Sequence, residues 1–182
     1  MSLIGISGLA RSGKDSFYER SVPFLKEKNL KCKRLAFADE LKRECNLLLR
    51  RYTNVSAFTT DNEEKKMVRP LLISYGTHIR RRINPNCWIE SIEPEVINKL
   101  EQGYAVFITD VRYQNEIEWL HKLKGKTVHI ERVGVKPPNR EEELNDPILK
   151  KKSTVRLQWD DFLENEDEEI SKKVKETLES IL

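Results

Sequence analysis

The sequence predicts an α/β fold, a parallel sheet of about five strands with helices on both faces. Three observations lead there. Short apolar runs alternate with longer helical stretches along most of the 182 residues. The clearest run, Tyr104–Thr109, is apolar nearly throughout, as a strand is when both faces of its sheet are covered. The first run, Leu3–Ser7, stops at a glycine-bearing stretch and gives way at once to helical sequence.

The elements follow in order. Leu3–Ser7 is too short for a helix and reads as a buried strand. A helix is expected from Lys14 to Lys28. Arg34–Ala38 reads as a second strand, with Asp39 placed to cap a helix through Leu49. Thr60 and Glu63 have capping-box spacing, so another helix starts near Asp61. Pro70 has no N–H to donate and is expected to kink or restart that helix before it resumes as far as Ile83. Trp88–Gln102 reads as a helix ended by Gly103, ahead of the strand Tyr104–Thr109. Asn115–Leu123 and Thr127–Glu131 read as helix and strand. Residues 132–153 hold Pro137, Pro138 and Pro147 among many charges without periodicity, and read as a loop or lid. Val155–Trp159 is a last strand before a helix from Glu166 to Leu182. No internal repeat is visible, and the chain reads as one domain, residues 1–182.

Composition narrows the function classes. Hydrophobic residues make up 38% and charged residues 35%, a globular balance with a heavily charged exterior. No apolar run approaches the roughly 18 residues of a membrane span, and Met1-Ser2-Leu3 lacks the basic and apolar regions of a signal peptide. Cys32, Cys45 and Cys87 form no CxxC pair and are odd in number, which points to a reduced, cytoplasmic protein without a disulfide framework. The net charge of +3 is too small to imply nucleic-acid binding. Residues 1–60, however, carry twelve Lys/Arg against six Asp/Glu, a bias that suits an anionic ligand there or a solvated basic face.

The stretch Gly8-Leu9-Ala10-Arg11-Ser12-Gly13-Lys14 satisfies GxxxxGK directly after a strand and at the start of a helix, the context this phosphate-binding loop requires. Its glycines let backbone N–H groups and the helix N-terminus point at an anion, and Lys14 adds a positive charge for the β- and γ-phosphates. Gly8, Arg11, Ser12, Gly13, Lys14, Asp15 and Ser16 are therefore the expected ATP-binding residues. Asp15 stands where a hydroxyl is usual, and the hydroxyl comes one position later, at Ser16. Adenylate-kinase-like enzymes displace it in the same way, which favours a small-molecule kinase over a switch and puts Ser16 on the magnesium side. Asp110 and Arg112 lie at the end of the clearest strand, where open α/β sheets place ligands. A carboxylate there holds magnesium or its waters, and an arginine grips phosphate bidentately; alternatively Asp110 caps the next helix and pairs with Arg112.

Three segments carry a family resemblance: Ser7–Ser16, then Arg69–Thr77 with Trp88 eleven residues on, then Asp110–Glu116. Phe37–Lys42 and Glu164-Asn165 add to it. The sequence resembles phage-type deoxynucleoside monophosphate kinases, with phosphomevalonate kinases sharing the Ser-Gly-Lys-Asp loop. The resemblance implies the three-layer P-loop kinase fold and transfer of the ATP γ-phosphate to a (deoxy)nucleoside 5′-monophosphate, with Mg2+. It also implies roles: Lys42, Arg69 and Arg112 on the acceptor phosphate, and Tyr75, Gly76, Thr77 and Trp88 shaping the acceptor pocket. Asp110 and Glu116 would contact magnesium or the acceptor, and Arg132 and Arg140 would be lid arginines. Read alone, Trp88 also suits a core, Lys42 a solvated helix face and Gly76-Thr77 a helix break. Arg80-Arg81-Arg82 lacks interleaved aromatics, so small nucleotides rather than nucleic acid are the expected partners. A homodimer is compatible with the sequence, and a phosphometabolite kinase or a nucleotide-dependent switch are the competing functions.

Overall fold

The computed structural model describes residues 2–159 and 167–182, so Glu164-Asn165 lies outside the described residues. The chain divides into two compact units, Met1–Leu35 with Glu95–Leu182, and Ala36–Pro94.

The first unit holds the sheet. Strands β1 (Ser2–Ser7), β2 (Cys32–Leu35), β3 (Ala105–Val111), β4 (Lys126–Arg132) and β5 (Val155–Trp159) are all parallel, in the order β2-β3-β1-β4-β5. The chain adds β2 and β3 on one side of β1, then β4 and β5 on the other. The carboxyl end of β1 is thus a topological switch point, where such sheets open a crevice. The register of β1 on β3 runs Gly5 to Ile108 and then Ser7 to Val111, so β3 carries one extra residue just where Asp110 lies.

Period-two alternation sorts the two faces. Ile4, Ile6, Phe107, Val128, Ile130 and Leu157 pack with helices α1 (Lys14–Glu27) and α8 (Asp167–Ile181) through Phe17, Leu25, Val174 and Leu178. Burying each such side chain stabilises the unit by about 1.5–3 kcal/mol. Helices α6 (Gln114–Lys122) and α7 (Arg140–Lys152) lie against the other face.

Four expectations need correction. The second strand ends at Leu35, and helix α2 (Phe37–Tyr52) starts ahead of Asp39, which sits in its first turn where a carboxylate suits the helix dipole. Asp61, not Thr60, caps α3 (Asn62–Ile73): its Oδ1 accepts from Glu63 N and Glu64 N, both at 2.9 Å. Pro70 does not restart that helix, which runs on into a π-helical turn, Ser74–Arg80, and the short α4 (Arg81–Ile83). Finally, residues 140–152, expected within a loop, form α7. Asn139 caps it by accepting from Glu142 N at 2.9 Å, and three glutamates open it while three lysines close it. Its inward stripe is Glu142, Asp146 and Lys150, spaced at i, i+4 and i+8, so the helical period is present but carried by charges.

The second unit is helical: α2, α3, the π-helical turn, α4 and the first part of α5 (Cys87–Glu101). No helix among the described residues is long and apolar enough to cross a membrane.

Trp159 links the core of the first unit to the loop after β1. It is 1% exposed and donates its indole N–H to Ser12 O at 2.7 Å. Trp159→Phe keeps most of the apolar contact and removes that donor. The urea midpoint should fall by the equivalent of about 1–3 kcal/mol with the slope unchanged; an unmoved midpoint would mean the bond anchors nothing.

Candidate active site

The loop between β1 and α1 is built around residues that no side chain could replace. Gly8 and Gly13 have φ of 134° and 95°, and Arg11, at the exposed crest, has 68°. A Cβ on Gly8 would collide with the carbonyl oxygen of Ile130, and one on Gly13 would stand 2.6 Å from the Trp159 ring. The loop is therefore seated directly on the ends of β4 and β5.

Lys14, the first residue of α1, folds back into this loop and donates to Gly8 O and Leu9 O, both at 2.7 Å. Burial and the nearby Arg112 guanidinium lower its pKa from 10.5 to about 8, while Glu142, Asp15 and Asp110 pull it upward. The structure thus brings Lys14, Asp15, Asp110 and Arg112 into one electrostatic cluster. Asp15 is exposed, Ser16 and Asp110 are partly buried, and the buried Ser12 supplies the carbonyl held by Trp159.

At the end of β3, the Glu116 carboxylate is buried and turned onto the backbone, accepting from Arg112 N at 2.7 Å and Tyr113 N at 3.0 Å. It fixes the turn that presents Arg112. The opposite wall is α7. Glu142 accepts from Ala10 N at 2.8 Å and from Arg112 Nη1 at 2.7 Å, and Tyr113 OH donates to Glu141 Oε2 at 3.0 Å. Neither glutamate was expected in the site; only the charged i, i+4, i+8 stripe could have flagged Glu142. Arg132 Nη1 lies 3.5 Å from Arg11 O, close to the loop, whereas Arg140 pairs with Glu143 of its own helix at 3.0 Å.

Beside the loop is a cavity of about 160 Å³, lined by Leu9, Ser12, His129, Glu131, Asp146 and Lys150 among others. His129 is fully buried, with Nδ1 3.0 Å from Ser7 Oγ and Nε2 3.6 Å from Asp146 Oδ1. Its Nε2 and Ser12 Oγ have no hydrogen-bond partner among the described residues. At about 30 Å³ per molecule, the space suits a few waters able to serve both.

In the second unit, Tyr75 OH donates to Glu44 Oε2 at 2.7 Å, and Arg80 Nη2 donates to Glu44 Oε1 at 3.0 Å. Arg80 also lies 5.3 Å from the ring centre of the buried Trp88. Glu44 and Arg80 were absent from the expected set, Arg80 because it reads as part of a basic helix end. Gly76 lets Leu41 approach: a Cβ there would stand 2.7 Å from its Cδ2. Lys42 lies 5.6 Å from the ring centre of Phe58, Thr77 is half-buried and Arg69 is exposed.

Known proteins share a family and a fold with this chain. A family model described as deoxynucleotide monophosphate kinase matches residues 16–170. The uncharacterized protein ORF77 of Ictalurid herpesvirus 1 (strain Auburn) is 41% identical over 70 residues, 38% of this chain but only 30% of that relative. Among solved structures, dephospho-CoA kinase from Campylobacter jejuni superposes with a TM-score of 0.53 at 8% identity, covering 98% of this chain and 96% of that one. TT1252 from Thermus thermophilus gives 0.51 at 14% identity, covering 100% and 98%. At such identities the likeness is one of fold.

The buried imidazole makes stability pH-dependent. Burial depresses the pKa of His129 from 6.5 to about 4, offset in part by Glu131 and reinforced by Lys150, Arg156 and Lys14. Between those values the unfolded chain takes up a proton that the folded chain refuses, so acidification through this window costs stability, up to about 3 kcal/mol. Asp146, whose carboxyl is raised by burial, acts in the opposite sense. His129→Gln should flatten the acid limb of urea midpoint against pH between 6.5 and about 4; an acid limb identical to wild type would clear His129 of the effect.

Proposed function

The chain belongs to the deoxynucleotide monophosphate kinase family, and from that premise we propose that it transfers the γ-phosphate of ATP to the 5′-phosphate of a (deoxy)nucleoside monophosphate. An oxygen of the acceptor phosphate attacks the γ-phosphorus, the bond from that phosphorus to the β,γ-bridging oxygen breaks, and ADP leaves beside the new diphosphate.

One observation carries this assignment. The Ala10 N–H of the phosphate loop and Arg112, just past β3, converge on one carboxylate, Glu142, beside Lys14, whose ammonium folds back onto the Gly8 and Leu9 carbonyls. A loop N–H and a guanidinium that meet on a carboxylate are placed to meet on a phosphate, and a transferring phosphoryl group spreads its charge over three oxygens. The N–H groups of Gly8–Gly13 and the start of α1 would hold the ATP phosphates, with Lys14 bridging β and γ. The Ser16 hydroxyl and the Asp110 carboxylate are hard oxygen donors suited to Mg2+, which takes few protein ligands and completes its shell with phosphates and water. When bound, the ion would supply charge neutralisation between the phosphates. Arg112, its turn held by Glu116, would grip the acceptor phosphate. In the second unit, Lys42, Arg69, Tyr75, Gly76, Thr77 and Trp88 are assigned to acceptor recognition. Residues 132–153, with Arg132 and Arg140, would form the lid that keeps water from the γ-phosphate.

A coupled ADP-release assay across NMPs, dNMPs and phosphorylated metabolites tests the acceptor class. Turnover is expected with at least one dNMP; turnover confined to a non-nucleotide acceptor would overturn the assignment. Lys14→Ala should lower transfer by about a hundredfold or more in a variant that still melts cooperatively. Near-normal turnover in a folded variant would remove the phosphate-loop mechanism. Arg112→Lys cannot reproduce a bidentate fork, so kcat or the acceptor KM should worsen about tenfold with ATP affinity nearly unmoved. Equal weakening of ATP binding would place Arg112 on the other substrate.

A further inference from the structure

Glu142 stands where a nucleotide phosphate would compete with it. Its two carboxylate oxygens take the Ala10 N–H of the phosphate loop at 2.8 Å and the Arg112 guanidinium at 2.7 Å, and its charge raises the proton affinity of Lys14. The side chain is only 10% exposed. Between Gly8, Leu9, Val111, Arg112 and the stretch of α7 from Glu142 to Leu149, the free space is about 10 Å³. That is room for about one water, far less than a phosphate group needs. The contacts therefore put a carboxylate on donors of the two kinds a phosphate uses, a loop N–H and an arginine fork.

We propose that Glu142 is a tethered phosphate mimic that raises the affinity a ligand must bring to enter the loop; this rests on the loop being a triphosphate site. A tethered group competes at a high effective concentration, on the order of millimolar for a short flexible link. A lone phosphate offers one anionic group to the loop and does not outcompete it. A triphosphate brings several phosphates to the other loop N–H groups and to Lys14, and displaces the carboxylate from Ala10 and Arg112 together. The residue thus sets a threshold that a polyphosphate passes and inorganic phosphate does not. It acts with the first turn of α7, where Glu141 is held by Tyr113 OH at 3.0 Å, while Lys150 and Lys152 hold the far end to Glu131 and Glu118, each at 2.9 Å.

The test is equilibrium binding of ATP and of inorganic phosphate to wild type, Glu142→Gln and Glu142→Ala by calorimetry. Glu142→Gln keeps the shape and removes the charge, and Glu142→Ala removes both. The Kd for ATP should fall about tenfold in each, the scale of one charge-assisted contact, and inorganic phosphate should gain by at least that factor. Unchanged or weaker affinity for both anions in folded variants overturns the proposal. If none of the three chains binds ATP, the loop is not a triphosphate site and the proposal falls with that assignment. If all three bind it equally, the proposal falls alone. Hydrogen exchange on the wild type gives a second check without substitution: ATP alone should deprotect the amides of Glu142 and Glu143, and increased protection there would overturn the displacement.

Discussion

The loop after β1 has to pass so close to β4 and β5 that two of its residues cannot carry a side chain. Gly8 lies against the backbone of Ile130 and Gly13 against the indole of Trp159, which also holds the Ser12 carbonyl. These contacts exist because the sheet order sets β4 beside β1 and β5 beside β4. The loop is thus seated on the sheet, and its shape comes from the same packing that buries Ile130, Trp159, Phe17 and Val174. Placing N–H groups at one point with little freedom is what stabilises charge in a transfer reaction, because no reorganisation is needed as the charge moves.

That seating concentrates charge. Burial of the Lys14 ammonium, with repulsion from Arg112 added to it, lowers its pKa to about 8. Asp15, Asp110 and Glu142 offset part of this. Removing one partner of a buried charge cluster is costlier than the cluster is stabilising. The buried imidazole of His129, tied to Ser7 under the same loop, is a second local cost of the same kind.

Most of the sheet unit was legible in the sequence because its strands are apolar and its phosphate loop has a fixed spacing. The last strand, Val155–Trp159, matches residue for residue, and Asn115–Leu123 and Thr127–Glu131 differ from their elements by a residue at either end. The failures have one physical source: the signal lay in hydrogen bonds and charge, not in hydrophobic period. Asp39 and Asp61 are both good caps by type, but α2 starts at Phe37, ahead of Asp39, while Asp61 stands at the N-cap and accepts from Glu63 N and Glu64 N. Helix α7 buries Leu149 alone among its residues, so no apolar stripe announced it. Of the candidate site in the sheet unit, Lys14, Asp110 and Arg112 were legible from motif and strand end. Glu142 was not, nor, within the helical unit, were Glu44 and Arg80, since each owes its place to a partner at least thirty residues away in sequence.

The charged inner face of α7 has a mechanical consequence. A helix seated through four or five leucines would lose some 1.5–3 kcal/mol for each one exposed on lifting, and it would rarely leave the sheet. Helix α7 instead relies on Leu149 and on pairs such as Lys152–Glu118 and Lys150–Glu131, whose members are about a third exposed. Pairs of that kind contribute about 0–1 kcal/mol each and exchange readily with water. The first turn itself is held by Glu142 on the Ala10 N–H and Arg112 and by Glu141 on Tyr113 OH, a few kcal/mol in total and comparable with what a handful of charge-assisted phosphate contacts returns. A latch made of charges is therefore one that an anionic ligand can open, and salt should loosen it as well.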